Sequence, residues 1–370
     1  MSRGKLFIFL VGLAALVFLG SSAFAACVTP TGGQVIVWHA GGLIPAFDTA
    51  TTGVEAEFLC QTGIQVVHQR AGSLDIVRQV TAGGQAADIV APADYLDIDL
   101  FLKARDYADY DIRFAETKMV LAYCLGAGAV CGGQSKPIVS GAGPNGAIAD
   151  PNGTFAPTVS NPDAIPNAVA NWYQLLLTPG VLVGGSHLYL DPSGYRAPMI
   201  FRLAQSFYNV PNLYDNLLEH YIATPATTPS GPYKLGLNYD YQFTYENNAF
   251  ANVALDPNYR YVNLPDNINL GNSAKNGYYR KAVIVEPDLF GTGFVPLPAS
   301  RVVFGITVLK NAPNKDNAIE FVKFLLGPDG QNALQTYGPA PIIPAEVTRE
   351  DYRKLPAALK PLVTVTCEDD

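Results

Sequence analysis

Near its amino terminus the chain repeats one unit, in which a short apolar strand ends in a turn containing glycine or serine and a helix follows. The strands are predicted at 34–39, 64–67 and 88–91. The first turn contains Gly41 and Gly42, and the second contains Gly72 and Ser73. Strand, turn and crossover helix repeated in this order predict an α/β fold built on a parallel sheet.

The second half of the chain shows the same pattern less regularly. The turn Asp191-Pro192-Ser193-Gly194 precedes an amphipathic helix over 199–207. Further strands are predicted at 239–245 and 302–308. The stretches 132–167 and 223–238 are rich in Gly, Pro and small polar residues, so we interpret both as surface excursions.

The first 25 residues have the signature of a secretory signal peptide. A basic start leads into an apolar run over 6–19, and Ala23-Phe24-Ala25 places small residues where a signal peptidase cleaves. The run is shorter than the roughly 20 residues that a bilayer span needs. We expect cleavage before Ala26 and a periplasmic or extracytoplasmic protein. Lipid anchoring at Cys27 is the weaker alternative, because leucine is usual where Phe24 stands.

Removal of residues 1–25 would leave 345 of 370 residues, which exceeds the roughly 250–300 residues of a single core. We therefore predict two lobes, one from 26–120 with 246–370 and the other from 121–245. The mature chain would carry 22 basic and 32 acidic residues, a net charge of −10. Such a surface repels nucleic acid and anionic lipid. We expect a monomer with no nucleic-acid partner, in which local dipoles and hydrogen bonds hold any anionic ligand.

The five cysteines would reside in an oxidising compartment, where disulfides persist. Cys124 and Cys131 flank a flexible stretch, and we predict that they pair. Of Cys27, Cys60 and Cys367, two would pair and one would be left over. A zinc site is disfavoured, because the sequence has no Cys-x-x-Cys motif with a nearby histidine.

No arrangement of residues in the sequence indicates catalysis. The four histidines are scattered, and neither a Ser-His-Asp order nor a phosphate-binding loop is present. We therefore expect a binding protein that is not an enzyme and has no cofactor.

The three turns themselves are candidate anion sites. Unpaired backbone N–H groups and a partial positive charge occur at the start of a helix, and both favour an anion. For any one turn, however, Gly and Ser are also the residues that end strands and cap helices. Asp191 fits a capping role well, and it would serve as a ligand only if the central atom of the anion were a metal that accepts another oxygen.

Several stretches that cover most of 35–335 carry a family resemblance. They are WHAGGLIPAF, RAGSLDIVRQV, ADIVAPADY, KMVLAY, NWYQLLLTPGV, DPSGYRAPM, DYQFTY, VNLPDNINL and VVFGITVLKNAPNKDNAIEFVKFLLGPDGQ. DPSGYR and GITVLKNAPN are the more specific motifs. In these stretches, and in their order, the sequence resembles the substrate-binding proteins of molybdate/tungstate ABC importers, in the tungstate-type branch with archaeal members.

The resemblance implies a type II periplasmic-binding-protein fold, with two α/β lobes that each contain a mixed sheet flanked by helices. Two crossing strands would join the lobes, at 119–123 outward and at 241–245 back. The lobes would close on a molybdate or tungstate oxyanion and deliver it to a membrane permease and its ATPase. The family's ligand positions correspond to Gly41, Gly42, Ser73, Asp191, Pro192, Ser193 and Tyr245.

Two positions depart from the family pattern. Serine is usual where Gly42 stands, and no glutamate between Glu219 and Glu246 supplies the family's second carboxylate ligand. Six-oxygen coordination of the metal is therefore an open question. Two alternatives to oxyanion transport remain: an exported hydrolase, and a binding module whose oxyanion specificity has been lost or changed to a sulfate-like anion or a sensor role.

Overall fold

The computed structural model describes residues 30–47, 53–135, 172–223, 234–287 and 293–366. The predicted signal peptide, Cys27 and Cys367 lie outside these ranges, as do most of the two predicted surface excursions. Within the ranges, no helix combines the length and the apolar character that crossing a membrane requires.

The chain alternates strands and helices through most of its described length. The strands are β1 Gln34–Ala40, β2 Gln65–Ala71, β3 Ile89–Ala91, β4 Ile112–Thr117, β5 Met119–Cys124, β6 Val183–Gly185, β7 Tyr221–Ala223, β8 Tyr241–Tyr245, β9 Tyr259–Asn263, β10 Val283–Pro287, β11 Phe294–Pro298, β12 Val302–Val308, β13 Ala340–Val347 and β14 Val363–Val365. The helices are α1 Ile44–Phe47, α2 Val54–Thr62, α3 Ser73–Val80, α4 Pro192–Tyr208, α5 Leu213–Glu219, α6 Glu246–Leu255, α7 Asn276–Tyr279, α8 Lys315–Leu326, α9 Pro328–Tyr337 and α10 Arg349–Lys354.

A seven-stranded mixed sheet is formed in the order β14-β13-β4-β12-β3-β1-β2. β1 runs parallel to both β2 and β3, as the repeated strand–turn–helix unit predicts. β12 is antiparallel to β3 and β4, and every residue of it is buried. A strand covered on both faces is expected to be a continuous apolar run, which explains why 302–308 could be identified from composition.

A second, five-stranded sheet has the order β7-β6-β8-β5-β9, and β10 and β11 form a separate hairpin. The predicted α/β fold with two helix-flanked sheets is confirmed. The chain passes from the first sheet to the second at Lys118, because β4 ends at Thr117 and β5 begins at Met119.

Beyond the predicted return crossing at 241–245, the chain remains in the second sheet for one more strand. β8 pairs with β5 on one side, and β9 then pairs with β5 on the other. The second sheet therefore includes residues up to Asn263. The two crossings and the exact lobe boundaries remain predictions.

The predicted disulfide between Cys124 and Cys131 is present, with 5.9 Å between the Cα atoms. The carboxylate of Asp256 accepts the backbone N–H groups of Val130 and Cys131, at 2.8 and 2.9 Å. These bonds hold the short loop closed against the second sheet. Cys60 is also disulfide-bonded.

Candidate functional site

A cavity of about 860 Å³ is lined by residues that follow strands of both sheets. Ala40 and Ala93 come from the ends of β1 and β3, while Ser186 comes from the end of β6. Five of the predicted ligand residues line this cavity: Gly41, Gly42, Asp191, Ser193 and Tyr245. Ser73 and Pro192 are not among the lining residues.

Gly41 and Gly42 begin a short helical segment directly after β1. Their N–H groups occupy the first positions of that segment, where no intrahelical acceptor exists. A β-carbon at Gly42 would lie 2.9 Å from Cζ of Phe304 and 3.3 Å from Cδ2 of Tyr245. The ring of Phe304 therefore fills the space that a side chain at Gly42 would need, which gives a physical reason for the departure from serine.

Ser73 lies behind the cavity wall. Its side chain is fully buried, and its hydroxyl oxygen accepts the N–H of Ala93 at 2.9 Å. The start of α3 contacts the second half of the chain, since the N–H of Leu74 donates to the carbonyl of Leu190 at 3.2 Å. A β-carbon at Gly72 would lie 2.2 Å from that same carbonyl oxygen. This turn thus holds the two halves of the molecule together beside the cavity.

Asp191 caps α4, as the alternative interpretation from sequence anticipated. Its Oδ1 accepts the backbone N–H of Ser193 at 2.8 Å and the Ser193 hydroxyl at 2.7 Å, and Pro192 occupies the first helical position. The N–H of Gly194 donates to the backbone carbonyl of Asp191 at 2.9 Å. The N–H groups at this helix start are therefore already paired, and the turn presents the Asp191 carboxylate and the Ser193 hydroxyl to the cavity instead.

Burial raises the pKa of Asp191, and the hydrogen bonds from Ser193, together with the charge of Arg196, only partly oppose this effect. The ionised carboxylate is thus more costly here than in water. A ligand that donates a proton to the Asp191 carboxylate, or that places an electropositive atom beside it, would reduce the free-energy cost of the buried charge.

Arg196 is a component of the site that sequence reasoning missed. Its guanidinium is 1 % exposed and donates to the carbonyl of Ala93 at 3.1 Å and to Asp94 Oδ2 at 2.8 Å. A further N–H donates to the hydroxyl oxygen of Tyr245. The Tyr195 hydroxyl also donates to Asp94 Oδ2, at 2.7 Å. Arg196 lies in the motif DPSGYR and Asp94 lies in the motif ADIVAPADY, but neither motif indicates that the two residues pair.

The hydrogen bond from Arg196 determines which further hydrogen bonds the Tyr245 hydroxyl can form. Because its oxygen accepts from Arg196, its own hydrogen remains available for another acceptor. Burial raises the pKa of Tyr245, and the nearby charge of Arg196 only partly opposes the rise. Although burial disfavours the charged form of Arg196, its contacts with Tyr245 and Asp94 raise its pKa, so the guanidinium stays protonated. Tyr245 is thus a polarised, neutral hydrogen-bond donor on the cavity wall.

The family model for bacterial extracellular solute-binding proteins matches residues 35–339, which includes every cavity residue discussed above. The chain belongs to this family. Binding proteins of this family serve transport rather than catalysis, and this solute-binding protein is the substrate-capturing component of an ABC transporter.

Two archaeal relatives of this solute-binding protein are molybdate/tungstate-binding proteins WtpA. The protein of Pyrococcus abyssi is 31% identical over 353 residues, covering 87% of this chain and 89% of the relative. The protein of Thermococcus kodakarensis is 32% identical over 329 residues, covering 81% and 80%. A solute-binding protein of Methanoculleus marisnigri without an assigned ligand is 28% identical over 358 residues, covering 89% and 86%.

Solved structures agree with the predicted fold. The sulfate-binding protein SubI of Mycobacterium tuberculosis superposes with a TM-score of 0.52 at 16% identity, covering 84% of this chain and 87% of that one. The periplasmic molybdate-binding protein of Azotobacter vinelandii gives a TM-score of 0.50 at 14% identity, covering 82% and 98%. This solute-binding protein therefore has the type II periplasmic-binding-protein fold.

A resident cation site is not found in the described ranges. No group of three or more His, Cys, Asp or Glu side chains in those ranges is placed to hold a metal ion.

Proposed function

We propose that this protein captures a molybdate- or tungstate-like oxyanion in the cavity and delivers it to an ABC permease and its ATPase. Two archaeal relatives above 30% identity carry that ligand in their names. The ligand positions that the family resemblance assigns to this chain include five that line one cavity. A sulfate-like anion is the alternative ligand.

The observation that carries the proposal is the hydrogen bond from Arg196 to the hydroxyl oxygen of Tyr245. An oxyanion accepts hydrogen bonds and donates none, so its site needs donors. Tyr245 meets this need because its oxygen is already occupied by Arg196. The N–H groups of Gly41 and Gly42 add donors that belong to the backbone and therefore need no positive side chain.

Asp191 distinguishes among oxyanions in this proposal. It is the one acidic residue among the described residues that line the cavity. A carboxylate beside a dianion is repulsive in a site of low dielectric, unless the central atom accepts the carboxylate oxygen. Molybdenum and tungsten expand their coordination in this way, whereas sulfur and phosphorus in their oxyanions do not. The site is therefore suited to metal oxyanions.

Export and lobe closure complete the proposal. Cleavage before Ala26 would release a monomeric extracytoplasmic protein. Its lobes would be centred on the two sheets and would meet at Lys118 and again after Asn263. Closure would enclose the solute against the Gly41–Gly42 turn and Tyr245, which already lie close together.

Ligand-dependent stabilisation tests this function. A ligand that binds only the folded protein stabilises it by about 2.7 kcal/mol when present at 100 times its Kd. Residues 26–370 should therefore unfold at a higher temperature in millimolar tungstate or molybdate than in chloride of equal ionic strength. An equal unfolding temperature in all these salts would contradict the proposal.

A further inference from the structure

The cavity extends from its polar end to an apolar wall. One face of α6 contributes apolar side chains to this wall, and α1 supplies the others. These residues belong to none of the predicted ligand positions. They are Ile44, Pro45, Phe250, Ala251, Ala254 and Leu255.

The cavity is much larger than an inorganic oxyanion. Four oxygens at about 30 Å³ each, the share of one water molecule in the liquid, amount to roughly 120 Å³. The cavity of about 860 Å³ is therefore roughly seven times as large. Pockets that bind organic molecules typically measure about 300–1,000 Å³ and are mostly apolar with a few polar groups at fixed positions.

Two large side chains of the apolar wall are accessible to water. Phe250 is 48% exposed and Leu255 is 68% exposed. They lie five residues apart on α6 and line the same cavity as Tyr245. Apolar side chains that lie beside a polar recognition group mark a surface that gains free energy when an apolar substituent covers it.

We infer that the cavity accepts an oxyanion head group that carries an apolar substituent, of the alkyl- or arylphosphonate class. The head group occupies the polar end, at Gly41, Gly42 and Tyr245, and the substituent lies against Phe250 and Leu255. The inference rests on the proposed function, because the same polar end binds the head group. A phosphonate that keeps one acid proton also supplies a donor for the Asp191 carboxylate, which an unprotonated dianion does not.

A homologous series tests this inference. Methyl-, propyl- and hexylphosphonate have the same head group and differ only in the length of the chain. Each buried methylene should tighten binding by about two- to fourfold, so that hexylphosphonate binds at least about 30-fold more tightly than methylphosphonate. Calorimetric titration of residues 26–370 measures each Kd, with tungstate and molybdate titrated in parallel.

Two matched variants locate the contact. Phe250→Ser should raise the Kd of hexylphosphonate at least about fivefold. It should leave the Kd of methylphosphonate within about twofold of the wild-type value. Phe294→Ser changes a phenylalanine that is 69% exposed on β11 and does not line the cavity. This control should leave the whole series unchanged.

The outcomes separate the inference from the proposed function. Equal affinity across the phosphonate series, with tungstate and molybdate still bound, overturns the inference and leaves the proposed function standing. An equal effect of Phe250→Ser and Phe294→Ser also overturns it. If no phosphonate and no inorganic oxyanion binds, the proposed function fails and the inference fails with it. Tight binding of hexylphosphonate without tungstate or molybdate supports the inference and replaces the proposed ligand.

Discussion

Asp94 and Arg196 form a buried ion pair in which 2.8 Å separates Oδ2 from Nη2. Their side chains are 3% and 1% exposed, respectively. Asp94 follows β3 of the seven-stranded sheet, whereas Arg196 lies in α4, which packs on the five-stranded sheet. The pair therefore links the two sheets directly behind the cavity, and it holds the guanidinium that orients Tyr245.

Loss of one partner of this pair should be costly. Asp94→Asn leaves the Arg196 charge buried without a counter-ion, and such a change typically destabilises a protein by about 3–5 kcal/mol. We expect a loss of about 3 kcal/mol in the free energy of unfolding, measured by equilibrium urea denaturation. The matched control is Asp106→Asn, because Asp106 is 86% exposed in its pair with Lys310. The control should cost less than about 1 kcal/mol, and equal losses in the two variants would refute this account of the pair.

Tyr245→Phe should weaken oxyanion binding. The change removes a hydrogen bond to a charged ligand, which is worth about 1.5–3 kcal/mol, or roughly a 10- to 100-fold increase in Kd. Tyr208→Phe is the control, since that hydroxyl accepts an N–H from Trp172 at 3.1 Å and does not line the cavity. Titration of both variants with tungstate measures the difference. Unchanged affinity in Tyr245→Phe would show that the hydroxyl does not contact the ligand.

The contact between Gly42 and Phe304 predicts different responses at two neighbouring glycines. Gly42→Ser forces the ring of Phe304 to move within a packed core, and overpacking of this kind typically costs about 1–3 kcal/mol. No atom lies within 4 Å of the β-carbon position at Gly41, so Gly41→Ser should cost less than about 1 kcal/mol. Equilibrium unfolding compares the two variants. The explanation fails if Gly42→Ser is as stable as Gly41→Ser.

The raised pKa of Asp191 predicts a pH-dependent stability. Burial raises this pKa above the ordinary value of 3.8, so the folded protein holds the proton more tightly than the unfolded chain does. Stability therefore falls as pH rises from 3.8 through the folded-state pKa, and the penalty persists at neutral pH. Asn caps a helix about as well as Asp. Asp191→Asn should therefore be more stable than the wild type at pH 7, and this difference should vanish below pH 3.8.

The control for the Asp191→Asn test is Asp316→Asn, which alters an exposed acidic residue in the first turn of α8. We expect no comparable gain in unfolding free energy from this control. Unfolding free energies measured from pH 3 to pH 8 show the trend. If Asp191→Asn were less stable than the wild type at pH 7, the carboxylate would be stabilising in the folded protein and the stated sign would be wrong.

The sequence indicated the parts of the fold that depend on local chemistry. The apolar run of β12 and the glycine turn after β1 could be identified from a few neighbouring residues. The amphipathic pattern alone predicts a start of α4 at Met199, seven residues after the observed start at Pro192, whereas the capping role of Asp191 predicts the observed start.

Other parts of the site depend on contacts between distant positions. Arg196 and Asp94 are 102 residues apart, and only their burial on facing elements makes them a pair. Phe304 and Gly42 are likewise far apart in the sequence and approach each other only in the folded chain. The apolar wall on α6 was missed because the cavity that Phe250 and Leu255 line exists only in the folded chain.

Calorimetric titration of residues 26–370 with tungstate tests the central claim most directly, with molybdate, sulfate and phosphate as competitors. The account predicts a saturable isotherm with one tungstate per chain. It also predicts that molybdate competes at comparable concentration, and that sulfate competes more weakly because it offers Asp191 neither a proton nor a metal centre that accepts another oxygen. Absence of binding heat with all four anions, together with no competition among them, would contradict the assignment of this cavity as an oxyanion site.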